Sequence, residues 1–142
     1  MELNLRSLEI KKFNVELLKT FIDNLDKEKE TFRYYNERSV HVISNHVYTV
    51  LLFLGDEPIA YGHLDKENDV VWLGILVKTE YQGKGVSKKM MMLLLNRANE
   101  LNLKAIQLSV DKVNERAIAL YRKYDFEIIQ EYEDYIILRK TI

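Results

Sequence analysis

A chain of 142 residues, 47% apolar and 30% charged, is long enough for one packed core and too short for two generous ones, so a single domain over residues 1–142 is expected. Its 21 Lys and Arg against 22 Asp and Glu leave a formal charge of -1, which supplies no global field to attract nucleic acid or an anionic membrane. With no cysteine, a disulfide framework, a thiolate zinc site and a cysteine nucleophile are excluded.

The first residues lack the basic-then-apolar order of a secretory leader, and no apolar run approaches the roughly 18 residues of a membrane span, so a cytoplasmic protein is expected. Leu3, Leu5, Leu8 and Ile10 suggest a first strand with an irregularity near Ser7. Asn14 then caps a helix in which Val15, Leu18, Phe21, Ile22 and Leu25 recur at helical spacing. Residues 26–30 are a charged break. Phe32-Arg33-Tyr34-Tyr35 sets three aromatics around one Arg, a composition used by binding surfaces and by amphipathic helix edges, before a weaker helical pattern through Val40 and Ile43.

Residues 47–54 read as a strand, Gly55-Asp56-Glu57-Pro58 as a four-residue connection and 59–64 as the returning strand of a hairpin. Residues 65–69 read as the next turn. Residues 70–77 are the most apolar strand, the pattern of a strand covered on both faces.

Tyr81-Gln82-Gly83-Lys84-Gly85-Val86-Ser87 joins that strand to a helical pattern carrying Met90, Leu93, Leu94 and Leu101. Such a loop can hold phosphate, because Gly lets the backbone approach closely and the first helical N–H groups have no intrahelical partner. The two glycines could equally just shape a tight strand-to-helix turn. A Walker loop fails, since Lys84 lies between glycines with no Ser or Thr after a Gly-Lys pair, and a dinucleotide fingerprint needs Gly where Lys88 stands.

The helix should end near Asn102, and the apolar residues 105–110 complete a βαβ unit with parallel strands. Asn114, Ala117 and Tyr121 share one face of the following helix, along which a ligand could lie; Asn114 as a simple cap and Tyr121 as a half-buried core residue fit the spacing as well. Residues 126–129 and 135–138 close the chain as strands, and an exposed C-terminal edge could support a homodimer.

Val77, then Glu80-Tyr81-Gln82-Gly83-Lys84-Gly85-Val86, then a strand, then Asn114-x-x-Ala117-x-x-Leu120-Tyr121-x-Lys123-x-x-Phe126, resembles the GNAT family of acetyl-CoA-dependent N-acetyltransferases over roughly residues 47 to 140. Gln82 and Gly85 meet the family loop pattern Gln/Arg-x-x-Gly-x-Gly/Ala, with Ser87 in place of its final residue, and Asp125 stands where Gly usually precedes Phe126. The resemblance implies an α/β (α+β) domain with a central mixed, mostly antiparallel sheet of about seven strands. Helices would cover both faces, and a V-shaped cleft would open between the strands at 70–77 and 105–110. It implies acetyl-CoA as cofactor, a small-molecule primary amine as acceptor, direct attack in a ternary complex, and no metal, because the thioester is already activated. Ile75, Leu76 and Val77 would pair with pantetheine, and Gln82, Gly83, Lys84, Gly85, Val86 and Ser87 would hold the pyrophosphate. Asn114, Ala117 and Tyr121 would also contact the cofactor, Tyr121 protonating the leaving thiolate.

A primary amine with a pKa of ~10.4 is protonated at neutral pH, so an acceptor for its proton is useful. Many family members carry a Glu in the strand equivalent to residues 70–77, whose centre here is Trp72-Leu73-Gly74. The base must therefore lie elsewhere or be a water. His63 is the candidate, because alternation puts Tyr61, His63 and Asp65 on one face; the alternative is a partly exposed strand histidine without catalytic duty. His41, His46 and Glu80 are less suited. By resemblance, Arg33, Tyr34 and Tyr35, with Tyr61 and His63, would meet the acceptor. The stretches 32–35 and 61–64 are also similar to those of bacterial members that act on amino sugars, free or nucleotide-linked. A protein N-terminus or lysine as acceptor, and a non-catalytic acyl-CoA-binding regulatory module, are the alternatives.

Overall fold

A computed structural model describes residues 3–142. The elements run β1 (Leu5–Glu9), α1 (Val15–Asp23), β2 (His46–Leu54), β3 (Glu57–Glu67), β4 (Val70–Val77), α2 (Val86–Glu100), β5 (Ala105–Asp111), α3 (Glu115–Lys123), β6 (Glu127–Glu131) and β7 (Tyr135–Thr141). They build one seven-stranded sheet in the order β1-β2-β3-β4-β5-β7-β6, antiparallel throughout except between β4 and β5. No helix among the described residues is long and apolar enough to cross a membrane.

The parallel junction positions everything that follows. β3 and β4 pair from Glu67↔Val70 to Ala60↔Val77, and β5 pairs with β7 from Ala105↔Thr141 to Asp111↔Tyr135. Between β4 and β5 the ladder holds at Trp72↔Gln107 alone. Beyond Trp72 the two halves of the sheet part, which is the V that the resemblance implied.

Each face has its own core. On β2, Val50 and Leu52 point into a large cluster with Met90, Met91 and Leu94 of α2, while Leu51 and Phe53 point into a second cluster with Val15, Leu18 and Phe21 of α1. This alternation is what a strand covered on both sides requires. In α2 the buried residues Val86, Met90, Leu94 and Ala98 recur every fourth position. The helix comes so close to β3 that a Cβ on Gly62 would meet Met90 Sδ at 2.5 Å, so any side chain here would force Met90 to shift.

Several local expectations are corrected. Between α1 and β2 there is no α-helix: Val40–Asn45 is a 3-10 segment, and Lys27–Glu30 is another. The first hairpin turns on Gly55-Asp56 alone, with Leu54 opposite Glu57 and Gly55 at φ +61. Pro58 is tolerated in β3 because it lies beyond Ala60, where the pairing with β4 ends. β3 also runs on through Asp65 to Glu67 and turns on Asn68-Asp69, with Asn68 at φ +56, so Asp65 is a strand residue facing the interior. β1 pairs with β2 without a register shift at Ser7.

Candidate active site

A cleft of about 750 Å³ follows the gap between β4 and β5 and continues under the segment 28–38. On one side of it the backbone of β4 from Leu73 to Leu76 has no strand partner facing the cleft, since β5 has left it. The chain then makes a 3-10 turn at Thr79–Tyr81 and enters the glycine loop. Gly83 at φ +76 and Gly85 at φ +83, the N-cap of α2, occupy the left-handed region. No side chain caps α2, so its first N–H groups face the cleft mouth beside Ser87 and Lys88. Gln82 Nε2 donates to the Val77 carbonyl at 3.1 Å and ties the loop to the strand. Val86 is buried in the core and Lys84 lies near the Tyr81 ring, so these two side chains stand outside the cleft wall.

Arg116 joins the loop without having been signalled by any periodicity. Its Nη2 lies where a Cβ on Gly83 would be 3.2 Å away, which sets a guanidinium against the glycine loop. Asn114 caps α3, its Oδ1 accepting from the Ala117 N–H at 3.3 Å, and it lines the cleft as well. The two readings of Asn114 were therefore compatible. Ala117, Leu120 and Tyr121 continue that wall. Tyr121 packs on Phe126 with ring centroids 5.8 Å apart, and among the described residues its hydroxyl makes no hydrogen bond within the protein. Burial pushes its pKa up to about 12, so the phenol stays protonated at neutral pH.

At the other end of the cleft, β3 presents Tyr61, His63 and Asp65 on one face, all buried. The partly exposed histidine allowed by the sequence is thus ruled out: His63 is 3% exposed. Its Nδ1 is 2.6 Å from the Tyr61 hydroxyl, which is 2.6 Å from that of Tyr35. Burial, with the neighbouring His46 and Arg38, holds the His63 pKa well below its usual 6.5, so the ring is neutral at neutral pH. When Nδ1–H donates to Tyr61 and Tyr61 to Tyr35, Nε2 is left as a free acceptor.

A second chain lies alongside. The Tyr34 hydroxyl donates to Asp65 Oδ2 at 2.6 Å and is 2.8 Å from His46 Nε2, while His46 Nδ1 is 2.8 Å from the Thr49 hydroxyl. Since the Tyr34 proton is committed to the carboxylate, His46 must supply Nε2–H, and Thr49 then donates to Nδ1. Burial lowers the His46 pKa to about 4, consistent with a neutral ring. Asp65 Oδ1 is buried with no partner. Sequence reasoning had placed Asp65 on the right face and given it no role, and had set His46 aside, because a bulged register between β2 and β3 brings His46 opposite Asp65.

Two further links close this end of the cleft. Arg33 spans the cleft to grip Asp111 at the end of β5 through both terminal nitrogens, each at 3.0 Å. Glu28, from the stretch read as a charged break, accepts from the Thr79 N–H at 2.8 Å and hydroxyl at 2.9 Å and from the Asp26 N–H at 3.0 Å. Burial alone would raise its pKa, but these donors outweigh it and bring it down to about 2.

The acetyltransferase (GNAT) family profile matches residues 11–126. A spermine/spermidine N(1)-acetyltransferase of Bacillus subtilis (strain 168) is 40% identical over 65 residues, 44% of this chain and 43% of that protein. A spermidine N(1)-acetyltransferase of Escherichia coli (strain K12) is 42% identical over 55 residues, 38% of this chain and 30% of that protein. The matched stretch thus spans less than half the length of these curated relatives. Among solved structures, the GNAT domain of S. lividans PAT superposes with TM-score 0.82 at 19% identity, covering 97% of this chain and 90% of that one. The PaiA N-acetyltransferase of Thermoplasma acidophilum, solved in complex with coenzyme A, does so with TM-score 0.79 at 15% identity, covering 99% and 100%.

Proposed function

Because the chain belongs to the acetyltransferase (GNAT) family, we propose that it moves the acetyl group of acetyl-CoA directly onto a primary amine of a small molecule. The observation that carries this reading is the coincidence, in one cleft, of a strand edge left unpaired by β5, an uncapped helix start behind two left-handed glycines, and a protonated Tyr121. These groups fit the cofactor's chemistry. Unpaired β4 backbone suits an amide-bearing pantetheine arm, and the α2 N–H groups with Arg116 suit a pyrophosphate. When bound, acetyl-CoA supplies an activated thioester that a neutral amine can attack without a metal.

The protein's own groups handle the protons. As the new C–N bond forms, the attacking nitrogen becomes acidic, so even a base with a lowered pKa can take its proton. His63 Nε2 is that base in the tautomer whose Nδ1–H donates to the Tyr61 hydroxyl 2.6 Å away. Tyr121 gives its hydroxyl proton to the sulfur as the C–S bond breaks. An aliphatic amine suits the acceptor end better than a nucleotide-linked amino sugar. Arg33 is held by Asp111 through both terminal nitrogens, so that guanidinium is already engaged by a carboxylate. The polyamine-acetylating relatives point the same way.

Calorimetric titration with acetyl-CoA, followed by thiol release across a panel of alkyl amines, amino sugars and peptides, tests the reading. Binding and turnover on a small amine are expected. Absence of acetyl-CoA binding would overturn the whole reading, turnover on peptides alone would move the acceptor to proteins, and tight binding without any turnover would leave a non-catalytic acyl-CoA module.

A further inference from the structure

Asp65 is 3% exposed and lines the cleft, yet only half of its carboxylate is used. Oδ2 takes the Tyr34 proton at 2.6 Å, whereas Oδ1 has no hydrogen-bond partner and is closed to bulk water. Among the described residues no cation completes it. Arg38, stacked 4.3 Å over the Tyr34 ring, donates to the Tyr34 carbonyl, and none of the ion pairs among the described residues includes Asp65. A buried carboxylate oxygen without a partner is costly, and a charged donor is what offsets that cost best.

We propose that Asp65 Oδ1 receives a second cationic centre of the acceptor, so that the cleft selects an aliphatic diamine or polyamine. The inference rests on the acetyl-transfer reading above and adds to it the residue that sets specificity. Asp65 and His63 are two residues apart on one face of β3, a separation of roughly 7 Å along the strand. A diamine with three or four carbons between its nitrogens spans that gap, one nitrogen at His63 Nε2 and the other paired with Asp65. The same face continues to Glu67, which also lines the cleft and is exposed, so the acidic row lengthens toward the rim where a longer polyamine would extend. A monoamine or a neutral sugar amine would leave Oδ1 unpaired.

Steady-state kinetics at saturating acetyl-CoA, comparing 1,4-diaminobutane with n-butylamine on the wild type and on Asp65→Asn, test the proposal. The wild type should prefer the diamine by at least roughly 10-fold in kcat/KM, and Asp65→Asn should erase that preference by a roughly 10- to 100-fold rise in the diamine KM, with butylamine little changed. Equal losses for both amines would make Asp65 a structural or proton-handling group, and an undiminished preference would assign Oδ1 to a water; either result overturns the proposal. Asn keeps an acceptor for the Tyr34 hydroxyl, and a circular dichroism melt reports whether the variant folds. If it does not, the wild type decides alone: diamines of three or four carbons no better than monoamines of equal length overturn it. If the wild type acetylates no amine, calorimetric titration of 1,4-diaminobutane and n-butylamine into the protein with CoA separates the two readings. Diamine-selective binding then sustains the Asp65 site while the transferase reading fails, and its absence overturns both.

Discussion

The His63 imidazole stands so close over Gly74 of the neighbouring strand that a Cβ at position 74 would lie 2.6 Å from its Cε1 and Nε2. β4 carries no carboxylate of its own, and the space above its centre is filled by the His63 imidazole reaching across from β3. The ring cannot easily step aside, because Tyr61 holds Nδ1 and the rings of Tyr34 and His46 lie 4.4 and 4.7 Å away.

Gly74→Ala should therefore displace His63. Overpacking at such a site costs about 1–3 kcal/mol, so the melting temperature should fall. Turnover should fall further than stability explains, with acetyl-CoA affinity nearly unchanged; calorimetry alongside thiol-release kinetics reads all three.

The second prediction concerns pH. His63 works as a base only when neutral, and its pKa lies well below 6.5, so the acid limb of the wild-type kcat profile should appear well below pH 6.5. His63→Gln should lower kcat roughly 100-fold to 10,000-fold and abolish that limb. A variant that keeps wild-type kcat and the same limb would assign proton removal to another group.

Tyr121→Phe keeps the ring against Phe126 and removes only the proton donor. kcat should drop while the dissociation constant of acetyl-CoA stays within a few-fold. The deficit should shrink with acyl donors whose thiols have lower pKa values, since a better leaving group needs less protonation. Burial holds the Tyr121 pKa at about 12, so no alkaline loss from this group is expected below about pH 11.

Glu28 links the acceptor wall to the start of the glycine loop. Its folded-state pKa, about 2, lies below the ordinary 4.5, so the stability it contributes is complete above pH 4.5 and is lost as the pH falls toward 2. Glu28→Gln should lower stability by about 1–3 kcal/mol at pH 7 and reduce the acid dependence in that window, as urea unfolding at several pH values would show.

How much of this was legible depended on whether the cause was local. The strand-loop-helix of residues 70–100 and the capped face from Asn114 to Tyr121 could be read directly, because apolar periodicity, glycine placement and capping chemistry act over a few residues. The seven strands followed from the same signals. The turns at Gly55 and Asn68 were misjudged by a few residues, since pairing extends strands through Pro58 and Asp65 once partners are present. A helix expected near Val40 and Ile43 became a 3-10 segment, because the weak local pattern was overridden by packing over β2 and β3.

The glycine-loop end of the cleft was thus legible in the sequence, whereas the end under residues 28–38 was decided only in three dimensions. Arg33 meets Asp111 across 78 positions and Glu28 meets Thr79 across 51, distances over which no periodicity carries information. A bulged register brings His46 beside Asp65, and a missing side chain at Gly74 admits His63. The sequence by itself determined that an apolar strand would run through a glycine loop into a helix, and the family resemblance placed a cleft beside that strand. Which charges would face one another inside it, and that Asp65 would keep one oxygen unpaired, depended on how distant segments packed together.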